Sequence, residues 1–344
     1  MHVTVLTIYW ALFMQKYLSI NLYVVRTPLQ LFNAIEARGR FHHDDKNILI
    51  IYYKNNIDLN MCRTLLDDTW YETHEYYFKN MQQLFYPIFI NRLIKYYRVE
   101  YLYIGLVSNI PLHIANLKNP QNLVILDDGN ETLLIAAYIE KLKKITSIKN
   151  KLNIKNIILG RLVNKDILKK AHYFSIYYPK EVNRKIIVHN DYRDFKLKCK
   201  NIKTSQQVIF IGSNLVDNYL SKNTLLAIMF SVKKYYKDTV VYYCPHRYET
   251  DEFLSEIDMM GFCVVRYNTI LESAFYQANS KPKEVATLRS TAIDTLSELY
   301  GIRSKVFSFD LSLLSNVDKK DEFNNLYLDY KKRKIDVQYL DVIS

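Results

Sequence analysis

The chain has 344 residues, 49% of them hydrophobic, and carries 47 Lys and Arg against 35 Asp and Glu for a formal charge of +12. That length supports two domains with separate cores, and that apolar share excludes a disordered chain. Seven Gly and seven Pro are too few for collagen-like, low-complexity or turn-dense all-β architectures. The basic balance leaves three classes of anionic partner: nucleic acid, an anionic membrane surface or a small anionic substrate.

The basic residues are scattered. The nearest approach to a run, Lys331-Lys332-Arg333-Lys334, reads as a solvated tail, and there is no RNA-binding aromatic signature or zinc-finger spacing. Cys62, Cys199, Cys244 and Cys263 show no C-x-x-C pair, so they read as free, mostly packed thiols of a reducing compartment. His42-His43-Asp44-Asp45 sits in polar surroundings and reads as a solvated turn rather than a metal site. Val3 to Met14 is apolar but too short to span a bilayer, and it lacks the basic flank of a signal peptide. Met14 is an alternative start, with Met1 to Phe13 as an extension.

In chain order, Leu22 to Val25 is a short buried-strand pattern. Arg26-Thr27-Pro28-Leu29-Gln30 follows and opens a helix. Thr27 suits the N-cap, Pro28 the first helical position, and Gln30 completes a capping box. Asn47 to Tyr53 is the next strand, Leu59 to Leu66 a helix, Tyr71 to Tyr77 a strand, and Met81 to Tyr97 an amphipathic helix. A strand from Glu100 to Gly105 leads through a loop into another helix. Then comes Val124-Ile125-Leu126-Asp127-Asp128-Gly129, an apolar run that stops at two adjacent carboxylates and a glycine. In isolation that is an acidic turn, since Asp-Gly is a common turn pair. At the carboxyl end of a parallel strand it is also where α/β proteins bind ligands. A helix over Thr132 to Lys144 and strands at Ala171 to Tyr178 and Lys185 to Val188 complete this half.

The chain turns polar and basic between Asp194 and Gln207, and a second alternation begins at Gln207 to Ser213. It continues with a helix over Lys222 to Tyr236, strands at Thr239 to Tyr243 and Cys263 to Arg266, and a strand at Glu284 to Leu288. A helix from Ala292 to Tyr300 and a strand from Lys305 to Phe309 follow, and a helix is expected in the tail. The alternation implies α/β architecture, two Rossmann-like doubly wound domains facing a cleft in a GT-B type arrangement. The expected division is an extension over 1–20, a first domain over 21–195, a linker over 196–206, a second domain over 207–318 and a tail over 319–344 that can cross back onto the first domain.

The second half carries its own polar cluster. His246, between Pro245 and Arg247, follows a strand, where a histidine can meet a ligand. Arg247 can clamp a phosphate or carboxylate, or form a local surface ion pair with Glu249. Glu272 alone reads as a helix-surface acid. Ser290 and Thr291 open the helix at Ala292 and suit an N-cap, and two hydroxyls at a helix N-terminus also suit a phosphate. The loop Gly212-Ser213-Asn214 ends the first strand of this half and is counted with these candidates. Walker A and G-x-G-x-x-G patterns are absent, which disfavours an ATPase or a dinucleotide enzyme.

Taken in order, Asp127-Asp128-Gly129, Pro245-His246-Arg247, Glu272 and Ser290-Thr291 resemble the bacterial sialyltransferases, and in particular glycosyltransferase family 52, the lipooligosaccharide and capsule type. Thr27-Pro28-Leu29-Gln30 and the helix after it are similar to that family's start. The resemblance runs from about Leu22 to about Phe309. It departs from the family in the proline, which precedes His246 instead of following it, and in Thr291, which replaces the second of two serines.

The resemblance implies inverting, metal-independent transfer of sialic acid from CMP-sialic acid to a galactose-terminated glycan or glycolipid, with no cofactor. Asp127 would be the base, with Asp128 as the alternative; His246 would stabilise the leaving phosphate. Ser290 and Thr291 would hold that phosphate and Glu272 the ribose, with Gly129 as part of the acidic motif. It also implies a homodimer. Cytoplasmic donor supply and a lipid-linked acceptor imply a cytoplasmic protein at the inner face of the bacterial membrane, with anionic lipid as a peripheral contact and no nucleic-acid partner. The rival readings are another GT-B transferase such as a polysialyltransferase, a catalytically silent binding protein of the same fold, and a basic nucleic-acid-binding protein.

Overall fold

The computed structural model describes residues 17–145, 156, 158–180 and 182–342. The apolar stretch Val3 to Met14 lies outside them. The chain divides into two compact units, residues 1–190 and 191–344.

In the first unit, strands β1 (Leu18–Val25), β2 (Asn47–Tyr53), β3 (Glu72–Tyr77), β4 (Tyr97–Ile104), β5 (Asn122–Leu126), β6 (His172–Ser175) and β7 (Ile187–His189) alternate with helices α1 (Pro28–Phe41), α2 (Asn56–Arg63), α3 (Gln82–Leu93), α4 (Asn109–Lys118) and α5 (Glu131–Lys143). The strands form one seven-stranded sheet in the order β3-β2-β1-β4-β5-β6-β7, and every pairing is parallel. Parallel strands need helical crossovers, so both faces of the sheet are covered and its central strands are largely apolar. Accordingly, every residue of β2 from Asn47 to Tyr52 is buried. The order reverses between β1 and β4, and ligands bind outside the carboxyl ends of strands at such a switch point. The abundant tyrosine serves the core: Tyr23 stacks on Tyr103 at 4.6 Å and meets Trp70 edge-on.

The second unit repeats the scheme. It begins with α6 (Arg193–Lys198) and the short β8 (Lys203–Thr204). Next come β9 (Val208–Ile211), α7 (Lys222–Tyr235), β10 (Val241–Cys244), α8 (Asp251–Met259), β11 (Cys263–Val264) and α9 (Leu271–Gln277). The chain then runs through β12 (Ser280–Lys281), β13 (Glu284–Thr287), α10 (Ala292–Tyr300), β14 (Arg303–Ser308), α11 (Lys320–Lys332) and β15 (Asp336–Tyr339). Its main sheet has the order β11-β10-β9-β13-β14-β15, again all parallel, with the switch point between β9 and β13.

Three expectations are corrected here. The segment expected as a linker carries the second half of α6 and all of β8, which pairs with β12, so it belongs to the second unit. The segment expected as a tail supplies α11 and the edge strand β15, which pairs with β14. Lys305 on β14, almost fully buried, is neutralised there by Asp336 of β15. The turn at His42 is not solvated at its first residue: His42 is buried between Asp45 (2.8 Å) and the Tyr103 hydroxyl (2.9 Å), while His43 is exposed.

Cys62, Cys199 and Cys244 are buried free thiols and Cys263 is exposed. Among the described residues, no helix is long and apolar enough to cross a membrane.

Candidate active site

The acidic motif is built by four strand ends of the first unit. Asp127 follows the last residue of β5 and is 1% exposed. The register that pairs Leu126 with Phe174 brings Ser175, at the end of β6, beside it. The Ser175 hydroxyl donates to Asp127 Oδ1 at 2.5 Å, and the Ile176 amide donates to Oδ2 at 2.7 Å. Thr132 Oγ1 accepts the Asp128 amide at 2.9 Å and turns its hydrogen to Asp127. The Asp127 carbonyl accepts from Asn33 Nδ2 at 3.1 Å, and Asn190 Nδ2 in turn donates to Asn33 Oδ1. Burial pushes the Asp127 carboxyl up to about 7, against the pull of its three donors toward the charged form.

Asp128 points elsewhere because successive side chains leaving a strand alternate. It is half-buried, and its Oδ1 accepts from the Thr27 hydroxyl at 3.2 Å. Gly129 next to it has φ +62°, a left-handed conformation that glycine adopts without steric cost. The two acids therefore differ in kind: Asp127 is enclosed with both oxygens engaged, and Asp128 is the more accessible.

Thr27 reaches Asp128 because the strand between them ends in a residue without a side chain. A Cβ on Gly105, at the end of β4, would overlap the Gln30 carboxamide, so glycine here lets the start of α1 lie across the end of β4. Thr27 caps α1 by accepting from the Gln30 amide at 3.3 Å, with Pro28 in the first turn. The reciprocal bond differs from the expected capping box: Gln30 Oε1 accepts from the Arg26 amide at 2.8 Å instead of from that of Thr27. Two buried donors at these strand ends, Arg26 Nε and Gln30 Nε2, have no hydrogen-bond partner among the described residues. Nearby, the Tyr52 hydroxyl and Ser108 Oγ lie 2.9 Å apart, and Tyr52 lies within electrostatic range of Arg26 and Asp128.

The second unit gathers its residues at its own switch point. Gly212 and Ser213 follow β9, His246 follows β10, and Ser290 and Thr291 follow β13. Glu249 joins the first two loops. Its Oε1 accepts from the Tyr243 hydroxyl at 2.8 Å, its Oε2 accepts from the His246 amide at 2.7 Å, and the Ser213 backbone adds a third bond. Gly212 makes room for it, since a Cβ there would stand 2.5 Å from Glu249 Oε2. Burial raises the Glu249 carboxyl to about 7. The surface ion-pair reading of Glu249 is therefore wrong: it is an internal brace for the loop that carries His246. Ser213 Oγ donates to the Arg289 carbonyl and so ties the third loop to the first. Asn214 is exposed.

His246 is half-buried. Its Nδ1 accepts from the Tyr248 amide at 3.4 Å, which leaves Nε2 as the protonated nitrogen of the neutral ring. The Arg247 guanidinium lies 5.2 Å from the Tyr248 ring centre.

Ser290 and Thr291 are half-buried at the start of α10. The capping differs from expectation. Thr291 occupies the cap position without a side-chain cap bond, and Ser290 Oγ accepts from the Ala292 amide at 3.3 Å. Glu272 is not a surface acid: it is buried in the first turn of α9 and accepts from the Thr295 hydroxyl one turn into α10. Its carbonyl accepts from the Tyr300 hydroxyl, and burial raises its carboxyl above the usual range. The structure thus brings Gly212, Ser213, His246, Glu272, Ser290 and Thr291 onto connected elements of one unit. Among the described residues, no group of three His, Cys, Asp or Glu side chains is arranged to hold a metal ion.

The sequence reading missed Ser175, Thr132 and Glu249. Ser175 had a visible signal, a polar residue at the carboxyl end of an apolar run.

No protein-family profile and no curated protein matches this chain in sequence. Solved structures match in fold. A 2,6-sialyltransferase from Photobacterium sp. JT-ISH-224, solved with CMP and lactose, has 12% identity over 94% of this chain and 78% of its own, with a TM-score of 0.54. The GT-B domain of a Photobacterium damselae sialyltransferase has 12% identity over 94% of this chain and 100% of its own, with a TM-score of 0.51. A UDP-GlcNAc 2-epimerase from Methanocaldococcus jannaschii has 9% identity over 95% and 89%, with a TM-score of 0.53. The chain therefore has the two-unit, Rossmann-like GT-B fold.

Proposed function

We propose that the chain is a glycosyltransferase that moves sialic acid from CMP-sialic acid to a terminal galactose of a glycan or glycolipid, with inversion. The observation that carries this reading is the unequal pair at the end of β5: one acid buried and braced by Ser175, Ile176 and Thr132, its neighbour the more accessible. Transfer to a hydroxyl needs a carboxylate to take the proton as the anomeric centre is attacked. Accessibility favours Asp128 for that step, with Asp127 as the positioning residue that fixes the turn. The assignment thus passes to the second acid of the motif.

The second unit handles the donor in this reading. His246 donates from Nε2 to the phosphate oxygen as the CMP bond breaks, which offsets the developing charge. The Ser290 and Thr291 hydroxyls and the amides opening α10 hold the phosphate. Glu272 holds the ribose through the oxygen not engaged by Thr295, and Gly212-Ser213-Asn214 borders the nucleotide. Arg26 Nε and Gln30 Nε2, both buried donors, suit the hydroxyls of an acceptor sugar. No metal takes part in these steps. A homodimer in the cytoplasm, where CMP-sialic acid is supplied, completes the proposal.

The test is CMP release and sialylated product from CMP-sialic acid with lactose as acceptor. Turnover that disappears in Asp128→Ala and His246→Ala supports the reading. Absence of turnover with any galactoside, together with no CMP binding, refutes it. The fold match to a UDP-GlcNAc 2-epimerase motivates one alternative, which acceptor-independent conversion of UDP-GlcNAc to its C2 epimer would reveal.

A further inference from the structure

Helix α3 is apolar on two faces. Tyr86, Pro87 and Ile90 are buried. Met81, just before the helix, and Phe85 and Ile88 within it are 60%, 52% and 67% exposed, and Tyr96, beyond its end, is 54% exposed. Spacings of four and then three residues put Met81, Phe85 and Ile88 on one outward stripe.

The helix holds this shape despite an internal proline. Pro87 cannot donate to the Gln83 carbonyl one turn back. Arg161 Nη2 donates to that carbonyl instead, at 2.6 Å, with its guanidinium 5.3 Å from the Tyr86 ring centre. Arg161 thereby ties its own segment, with the exposed Leu162 next to it, to the same helix.

Along α3 and its immediate flanks the charge is of one sign. Between Tyr76 and Val99 there is no Asp or Glu, and Lys79, Arg92 and Lys95 are exposed. A second copy seated on this face would set like charges against like. An anionic lipid surface matches both features: apolar and aromatic side chains enter the headgroup boundary while lysine and arginine meet lipid phosphates.

We infer that α3 docks in the plane of an anionic bilayer, with Phe85 and Ile88 entering the acyl boundary and Lys79, Arg92 and Lys95 on the headgroups. The inference is independent of the transferase reading, because binding is measured without substrates.

The test is flotation of the full chain with phosphatidylcholine vesicles, with and without phosphatidylglycerol. The chain should float with the anionic vesicles at low salt and stay behind with phosphatidylcholine alone. Phe85→Ser with Ile88→Ser, and separately Arg92→Glu with Lys95→Glu, should each lower the partition coefficient at least about tenfold, with circular dichroism unchanged. A polarity-sensitive dye on Ile88→Cys, in a Cys263→Ser background because Cys263 is the exposed thiol, should shift to the blue on anionic vesicles. Failure of the wild-type chain to float, equal flotation of both variants, or an unshifted dye would overturn the inference. So would a solution dimer that the Phe85→Ser, Ile88→Ser variant dissociates without any vesicle binding, since that outcome assigns the stripe to a second copy.

Discussion

Replacing Asp127 by asparagine separates burial from charge at the centre of the acidic motif. The ordinary aspartate value is 3.8, and burial lifts this carboxyl to about 7. Between those values the folded chain holds a proton that the unfolded chain has released. The folded state therefore binds more protons there, and stability falls as pH rises through the window. Each pH unit is worth about 1.4 kcal/mol, which sets a ceiling of about 4 kcal/mol; relaxation around the charge reduces it to roughly 2–4 kcal/mol. Asparagine keeps the shape and has no such slope. Its oxygen can accept from the Ile176 amide and its NH2 can donate to Ser175 Oγ, much as the protonated acid does. Urea denaturation of both proteins at pH 4 and pH 8 isolates the effect, because all other groups cancel in the difference. The two should be nearly equal in stability at pH 4, and Asp127→Asn should be the more stable at pH 8. A difference independent of pH across this range would refute the claim that a buried carboxyl titrates here.

Four further outcomes follow from the same geometry. Gly105→Ala forces the Gln30 side chain off the end of β4 and should destabilise the first unit by about 1–3 kcal/mol in denaturant titrations; an unchanged midpoint would show that Gln30 yields freely. Glu249→Ala strands the Tyr243 hydroxyl and the His246 amide and should cost at least about 2 kcal/mol along with turnover, with partial recovery in Glu249→Gln. Equal stability of Glu249→Ala and wild type would remove the brace. Ser290→Ala should raise KM for the donor about tenfold with kcat little changed, and an unaltered KM would count against the phosphate role. Turnover should survive prolonged treatment with EDTA, whereas loss restored by a divalent cation would place a metal in the reaction.

The fold was legible where strands are buried on both faces. Asn47 to Tyr53 reads as a strand because nothing in it needs water, and the structure gives the same bounds. Thr27-Pro28 marks the start of α1 for local reasons, so it too was readable. Lys203–Thr204 and Asp336–Tyr339 were not, because short polar strands are defined by distant partners, β12 and β14, and not by their own pattern. The limits at the site are similar. Sequence located the two acids of the motif and left the base as Asp127 with Asp128 as the alternative; that Asp127 is enclosed by Ser175 and Ile176 could not be read, because it depends on where β6 arrives. Glu249 looked like the partner of Arg247, two residues away, and only the Tyr243 hydroxyl and the space above Gly212 reveal it as internal. Glu272 was singled out through the family resemblance; its burial against Thr295 depends on how α9 packs on α10.

The identity of the donor is the claim on which the account turns, since the fold is shared with proteins that use UDP-sugars. Calorimetric titration of the purified chain with CMP and, separately, with UDP measures it directly. CMP should bind and UDP should not, and Ser290→Ala and Glu272→Ala should each weaken CMP by at least about tenfold. Preference for UDP, or CMP binding indifferent to both substitutions, would contradict the account.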